Sequence, residues 1–296
     1  MKWQLGGYFL AIASGAFYGI ISVIILFISR FGDVPSLFSM MVRMFLAGVF
    51  LLPFSVQRFR ACHITGQFLR RMLCAGVFLT LSSILIYTSL DDIPASIGIA
   101  LHYTYPLVVM VLSVVIFRAR VTRPAVIALV MSLIGVVLLC DNAVLPRGAG
   151  KGVCLALISA VTFGTYYLWV ERKKLGEMDA VLFTMLLSFF DSILLALYNL
   201  ATGNLFISVN AGTVGILVVA GFFALFAILT QAVAIKRIGS VMTSILGTLQ
   251  PIVCTLGSAL VLREPVSARS LLGSAMVLGA VVIVTLGGKN KRTDAN

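Results

Sequence analysis

The stretch IPASIGIALHYTYPLVVMVLSVVIFRARV at residues 93–121 returns in altered form as IGSVMTSILGTLQPIVCTLGSALVLREPV at residues 238–266. The two copies align without a gap at an offset of 145 residues, from 93 to 238. The identical pairs are Ile93/Ile238, Leu101/Leu246, Pro106/Pro251, Val108/Val253, Ser113/Ser258, Arg118/Arg263 and Val121/Val266. A proline inside an apolar helix lacks a backbone donor and clashes with the preceding turn, so we predict a kink and an adjoining cavity at Pro106 and Pro251.

The composition predicts an all-α integral membrane protein. Of 296 residues, 60% are hydrophobic and 11% charged, with a mean hydropathy of +1.11, whereas about a quarter of the residues in soluble domains are charged. Apolar stretches long enough to cross a bilayer of about 30 Å occur ten times. We place them at residues 8–29, 37–55, 72–90, 93–117, 124–140, 153–170, 180–200, 213–235, 240–262 and 271–286.

The same offset relates the first and sixth apolar stretches. The pairs there are Gly7/Gly152, Leu10/Leu155, Ala11/Ala156, Ser14/Ser159 and Gly19/Gly164. We therefore predict one membrane domain, 1–296, built from repeat one at 6–141 and repeat two at 151–287. Five helices per repeat is an odd number, so the second repeat enters the membrane from the opposite side. Inverted repeats are typical of secondary transporters; a duplicated channel or intramembrane enzyme stays open as an alternative.

The net charge of +12 reflects membrane topology and does not indicate nucleic-acid binding. With a cytoplasmic N-terminus, 16 of the 22 Lys and Arg residues fall at inner ends, 5 at outer ends, and Arg43 within the membrane. Basic residues concentrate in cytoplasmic loops of membrane proteins. We therefore expect an inner (plasma) membrane protein with both termini in the cytoplasm, whose surroundings are the lipid bilayer.

The chain also resembles a known family. The resemblance is carried by LFSMMVRMFLAG at 37–48, by Ala95-Ser96 and Tyr105-Pro106 in the fourth stretch, and by GTLQP at 247–251 with LREP at 262–265. These segments are similar to the EamA-type, ten-helix transporters of the drug/metabolite transporter superfamily, which include bacterial aromatic amino-acid exporters. Glu264 stands where that family commonly closes its ninth helix on an acid. The resemblance implies export or exchange of a small metabolite.

Two charged residues lie within predicted spans, where ionisable groups are costly and often functional. Arg43 is in the second stretch and Asp191 in the seventh, its counterpart in repeat two. The two charges could form a clamp between helices or take part in solute binding and coupling. An unpaired Asp191 in contact with water would be the leading candidate for proton coupling.

Aromatic and amide side chains supply the candidate solute-binding residues. Tyr18, Tyr87 and Tyr166 lie on stripes of polar residues at helical spacing, and such stripes suit an amphipathic solute. Gln231 and Gln250 are the amides best able to orient it. His102 stands one turn before Pro106, where it could face the cavity or form a hydrogen bond between helices.

Other sites are not indicated. No His, Cys or carboxylate cluster has metal-ligand spacing, and no nucleotide motif occurs, so we expect neither metal nor cofactor and no catalytic residue. The sequence predicts a secondary transporter that exports or exchanges a small amphipathic metabolite, with amino acids as the first class to test. A drug or another metabolite is the alternative cargo, an intramembrane enzyme is the alternative class, and homo-oligomerisation stays open.

Overall fold

A computed structural model of the chain describes residues 2–31, 34–61, 65–139, 148–173, 175, 179–261, 263 and 266–290. Within these ranges the chain forms eleven helices. They are α1 (Lys2–Phe31), α2 (Ser36–Ala61), α3 (Gly66–Ser89), α4 (Ala95–His102), α5 (Tyr105–Phe117), α6 (Arg123–Leu139), α7 (Gly150–Arg172), α8 (Ala180–Ala201), α9 (Ala211–Gly247), α10 (Leu249–Val261) and α11 (Ala268–Asn290).

The eleven helices account for the ten predicted stretches. Helices α4 and α5 are the two halves of the fourth stretch. Helix α9 contains the eighth stretch and the start of the ninth, with a kink at Gly239 (φ 82°), and α10 completes the ninth. Eight stretches have the length and hydropathy of a membrane span, while Arg123–Leu139 and Leu249–Val261 are shorter apolar helices. The predicted all-α membrane class is confirmed.

Each of the two prolines related by the repeat lies in the first turn of a new helix that follows a break, rather than bending a continuous helix. Pro106 is the second residue of α5 and Pro251 the third residue of α10. Proline is tolerated in a first helical turn because the N–H groups there have no intrahelical acceptor. At the breaks, the hydroxyls of Thr104 and Thr248 donate to the carbonyl oxygens three residues earlier, at 2.7 and 2.6 Å.

Helix packing follows the symmetry of an inverted repeat. Helix α2 packs on its counterpart α8, and α6 packs on its counterpart α11. The contact of α3 with α7 has its equivalent in α1 with α9, and that of α2 with α9 has its equivalent in α3 with α8. Arg118 and Arg263, which are repeat partners, share a left-handed backbone, with φ of 51° and 56°.

Two glycines related by the repeat allow equivalent close helix contacts. A Cβ atom on Gly19 of α1 would lie 2.8 Å from the carbonyl oxygen of Gln250, and one on Gly164 of α7 would lie 3.3 Å from that of Tyr105. Gln250 and Tyr105 are themselves separated by 145 residues. Small residues let membrane helices approach closely, so these glycines bring the first helix of each repeat against the broken helix of the other repeat.

The outer surface of the helix bundle is apolar. Phe9, Val115 and Leu260 are 70%, 71% and 83% exposed. The largest buried core, in contrast, gathers aromatic residues of both repeats, including Tyr103, Tyr105, Tyr166 and Tyr167. Lipid is as apolar as the side chains that face it, so a membrane protein can place large apolar residues outside and polar groups inside.

Candidate solute-binding site

Arg43 and Asp191 lie on packed helices but form no ion pair with each other. Helices α2 and α8 are joined nearby by a hydrogen bond from Ser192 Oγ to the Met41 carbonyl oxygen, at 3.1 Å. Arg43 is 7% exposed and Asp191 is 0% exposed. Asp191 Oδ1 accepts a hydrogen bond from Thr80 Oγ1 at 2.5 Å. Among the residues that the structure describes, Arg43 Nε and Asp191 Oδ2 have no hydrogen-bond partner.

The two charges still interact through space. Arg43 is near enough to Asp191 for electrostatic attraction. Tyr18 also interacts electrostatically with both Arg43 and Asp191. Isolated charges buried in a low-dielectric interior are costly, and the attraction offsets part of that cost. The arrangement is therefore a separated charge pair, with one carboxylate oxygen held by Thr80 and the second oxygen without a donor among the described residues.

A chain of hydrogen bonds crosses three helices next to this pair. Tyr18 Oη of α1 donates to Gln231 Oε1 of α9 at 3.3 Å. Gln231 Nε2 then donates to Tyr167 Oη of α7 at 2.5 Å. Gln231 is buried, so the two tyrosines fix the orientation of its amide. The chain thus connects α1 of repeat one with α7 and α9 of repeat two.

Tyr166 links the hydrogen-bond chain to the charge pair. Its side chain is 1% exposed, stacks on Phe163 with ring centroids 5.9 Å apart, and interacts electrostatically with Tyr18 and Asp191. Charge pair, amide chain and tyrosines therefore form one group, which we call the central cluster. Its members are Tyr18, Arg43, Thr80, Tyr166, Tyr167, Asp191 and Gln231.

Two other predicted residues lie beside this cluster. Gln250 Nε2 of α10 donates to Ser22 Oγ of α1 at 3.1 Å. Ser22 Oγ in turn donates to the Tyr18 carbonyl oxygen at 3.0 Å. Gln250 therefore contacts α1 one helical turn away from Tyr18. Tyr87 is seven residues along α3 from Thr80 and packs against the largest core, which includes Tyr103. Both residues extend the polar surface of the central cluster along the helices.

His102 forms a hydrogen bond between helices, one of the two roles that the sequence left open. Its Nδ1 lies 2.9 Å from Ser159 Oγ, whose hydroxyl donates to the Ala156 carbonyl oxygen at 2.6 Å. The Ser159 hydroxyl therefore lies within hydrogen-bond distance of both the Ala156 carbonyl oxygen and His102 Nδ1. The imidazole also packs on Phe163, with ring centroids 5.2 Å apart. His102 therefore joins α4 to α7.

Sequence reasoning missed Tyr167 and Glu171, and it placed Thr80 on a polar stripe without assigning it to the site. Tyr167 was overlooked beside Tyr166, although an intramembrane phenol was the available signal. Thr80 lies on the same polar stripe as Tyr87, and its hydroxyl binds Asp191. Glu171 accepts hydrogen bonds from the backbone N–H of Ser240, at 3.0 Å, and from its hydroxyl. Glu171 is followed by Arg172, Lys173 and Lys174, and an acid before three basic residues was its signal.

Two further predictions concern Glu264 and metal binding. Glu264, on which part of the family resemblance rests, lies outside the described residues. In the part of the chain that is described, no group of three or more His, Cys, Asp or Glu side chains could hold a metal ion.

The fold and the buried charges together define a multi-pass membrane protein with two inverted repeats and a polar centre. The chain belongs to the EamA-like transporter family, whose model matches it twice, at residues 5–140 and 150–286. A relative from Clostridium kluyveri, described as an uncharacterized transporter, is 22% identical over 287 residues, covering 93% of this chain and 92% of the relative. The match to a transporter family over nearly the whole chain makes this protein a transporter.

A solved structure shares the fold. It is a protein crystal structure with a TM-score of 0.81 and 15% sequence identity, and the alignment covers 96% of this chain and 98% of that one. The likeness extends over both repeats and shows that the arrangement of helices occurs in another protein.

Proposed function

We propose that this protein is a secondary transporter that exports or exchanges a small amphipathic metabolite by alternating access, with amino acids, aromatic ones first, as its cargo. The observation that carries the proposal is the central cluster. Within it, the incompletely satisfied Arg43 and Asp191 lie beside Tyr18, Tyr166 and Gln231 where the two repeats meet. Polar groups at a repeat interface are typical of transporter solute sites.

Alternating access requires the two repeats to exchange conformations around the same solute. Each repeat contains a broken helix, α4–α5 or α9–α10, that packs on the first helix of the other repeat. The breaks before Pro106 and Pro251 interrupt the intrahelical hydrogen bonds, so bending there costs less than in a continuous helix. We infer that these two points are the hinges.

No chemical step is needed for this function. An intramembrane enzyme would need paired catalytic groups, which only Arg43, Asp191 and His102 could supply. The bond of His102 to Ser159 supports a structural role for the imidazole instead. We accordingly propose a transporter that needs no metal or cofactor.

Purified protein in liposomes should exchange external radiolabelled phenylalanine for internal unlabelled phenylalanine. Replacing Gln231 with leucine should lower that exchange about tenfold or more, because the hydroxyls of Tyr18 and Tyr167 then lose a shared hydrogen-bond partner. Thr230→Val is the matched control, since among the described residues the Thr230 hydroxyl bonds to carbonyl oxygens of its own helix, those of Phe226 and Ala227. If neither amino acids nor other small metabolites exchange, the proposed function is wrong.

The proposed orientation places both termini in the cytoplasm of a bacterial-type inner membrane. In a variant without native cysteines, a cysteine at position 172 should react with an impermeant maleimide only from the cytoplasmic side, and one at position 203 only from outside. Arg172 is the last residue of α7 and Gly203 follows the end of α8. The two positions are therefore separated by one crossing of the membrane, that of α8. Reaction of both positions from the same side would exclude this topology.

A further inference from the structure

Arg43 has a buried hydrogen-bond donor, Nε, with no acceptor in the described part of the chain. Its side chain is 93% buried, being 7% exposed, and its Nε has no acceptor. A guanidinium has five N–H donors in a planar fork that matches a carboxylate through two parallel hydrogen bonds. The carboxylate of Asp191 is near enough to attract Arg43 but forms no ion pair with it. The Nε side of the guanidinium is therefore suited to a carboxylate from another molecule.

Asp191, in contrast, has a hydrogen-bond acceptor without a donor. Its Oδ1 accepts from Thr80, while its Oδ2 is buried and has no donor among the described residues. An acceptor left without a donor inside a protein costs about 1–3 kcal/mol, so a donor from water, an ion or a solute would stabilise Oδ2. An ammonium group has three donors and a positive charge, so it satisfies both the geometry and the charge of Oδ2.

Charge balance selects solutes that carry both groups. Arg43 and Asp191 sum to zero, and the phenols of Tyr18, Tyr166 and Tyr167 are uncharged near neutral pH. A solute with only a carboxylate would leave the cluster with a net negative charge, and one with only an amine would leave it positive. Uncompensated charge within a membrane protein is strongly unfavourable. A solute with one charge of each sign adds no net charge.

We propose that Arg43 binds the carboxylate and Asp191 the ammonium group of a zwitterionic amino acid. This proposal rests on the proposed transport function and specifies how its solute is recognised. Arg43 and Asp191 lie on α2 and α8, which occupy equivalent positions in the two repeats. One solute therefore contacts both repeats, as alternating access requires. Tyr18 and Tyr166 both interact electrostatically with Asp191, so we assign their rings to the solute's side chain.

The first test compares three solutes that share one ring: phenylalanine, phenethylamine and 3-phenylpropionate. Each is titrated against the purified protein in detergent, and its Kd is obtained from the rise in the unfolding temperature. Phenylalanine should bind at least about tenfold more tightly than either single-charge solute, because each of those lacks one charge-assisted hydrogen bond. Leucine, isopentylamine and 4-methylpentanoate repeat the comparison for an aliphatic side chain. Equal binding of all three members of both sets, or no binding by any, overturns the proposal.

The second test reverses the preference. Asp191→Asn leaves the positive charge of Arg43, so this variant should prefer 3-phenylpropionate to phenethylamine. Arg43→Gln leaves the negative charge of Asp191 and should prefer phenethylamine. The matched controls are Arg58→Gln on α2 and Asp179→Asn at the N-cap of α8, which alter an ion pair at the helix ends and should keep the wild-type order of binding.

Failure of the charge assignment can be distinguished from failure of the proposed transport function. Transport of phenylalanine with an unchanged solute preference in Asp191→Asn and Arg43→Gln would overturn the charge assignment while the transporter function stands. If the wild type transports no metabolite, the proposed function fails first. Should either variant fail to fold, the wild-type order of the three solutes alone decides, since it involves no substitution.

Discussion

Replacing Asp191 with asparagine is expected to lower the free energy of unfolding by about 3 kcal/mol, because it leaves the buried guanidinium of Arg43 without a compensating charge. Arg43→Gln should have a similar effect, since it strands the carboxylate. The double variant should recover much of the loss, because no uncompensated charge remains. The measurement is reversible unfolding in mixed micelles, analysed as a double-mutant cycle.

The same cycle at Arg58 and Asp179 provides the control. These residues also join α2 to α8, with Arg58 Nη1 and Asp179 Oδ2 2.6 Å apart, but their side chains are 46% and 24% exposed. Solvent screens such a pair, so its coupling should be about 0–1 kcal/mol. A coupling at Arg43 and Asp191 as small as that of the control pair would show that the two buried charges do not depend on each other.

Replacing Pro106 or Pro251 with alanine is expected to slow transport about tenfold or more while the Kd of the solute changes less than about threefold. Alanine restores a backbone N–H, which can donate to the carbonyl four residues earlier and join the two half-helices. A joined helix resists the bending that the transport cycle needs, but it leaves the side chains of the central cluster in place. Exchange rates in liposomes and Kd values in detergent separate the two effects.

Pro53→Ala is the matched control for the hinges. Pro53 lies inside α2 and is exposed on the outer surface, away from the two breaks. It should change stability without a comparable fall in transport rate. Normal exchange in both Pro106→Ala and Pro251→Ala would place the hinges elsewhere, with the kink at Gly239 as the next position to test.

Much of the fold could be predicted because its signals are local in the sequence. The length of an apolar stretch decides whether it can cross the bilayer, and an offset of 145 residues relates one repeat to the other. The breaks near Pro106 and Pro251 follow from the chemistry of proline. Their form was harder to predict: whether a proline bends a helix or begins a new one depends on how the preceding turn is satisfied, here by Thr104 and Thr248.

The sequence alone determined that Arg43, Asp191, Tyr18 and Gln231 would be polar groups within a membrane, because no neighbour can change their chemical type. Only the tertiary structure decided which of them meet. Successive residues of a helix point about 100° apart, so a small rotation of α8 determines whether Asp191 bonds to Thr80 or forms an ion pair with Arg43. That rotation is set by the packing of many side chains from both repeats, which the pattern along a single helix does not contain.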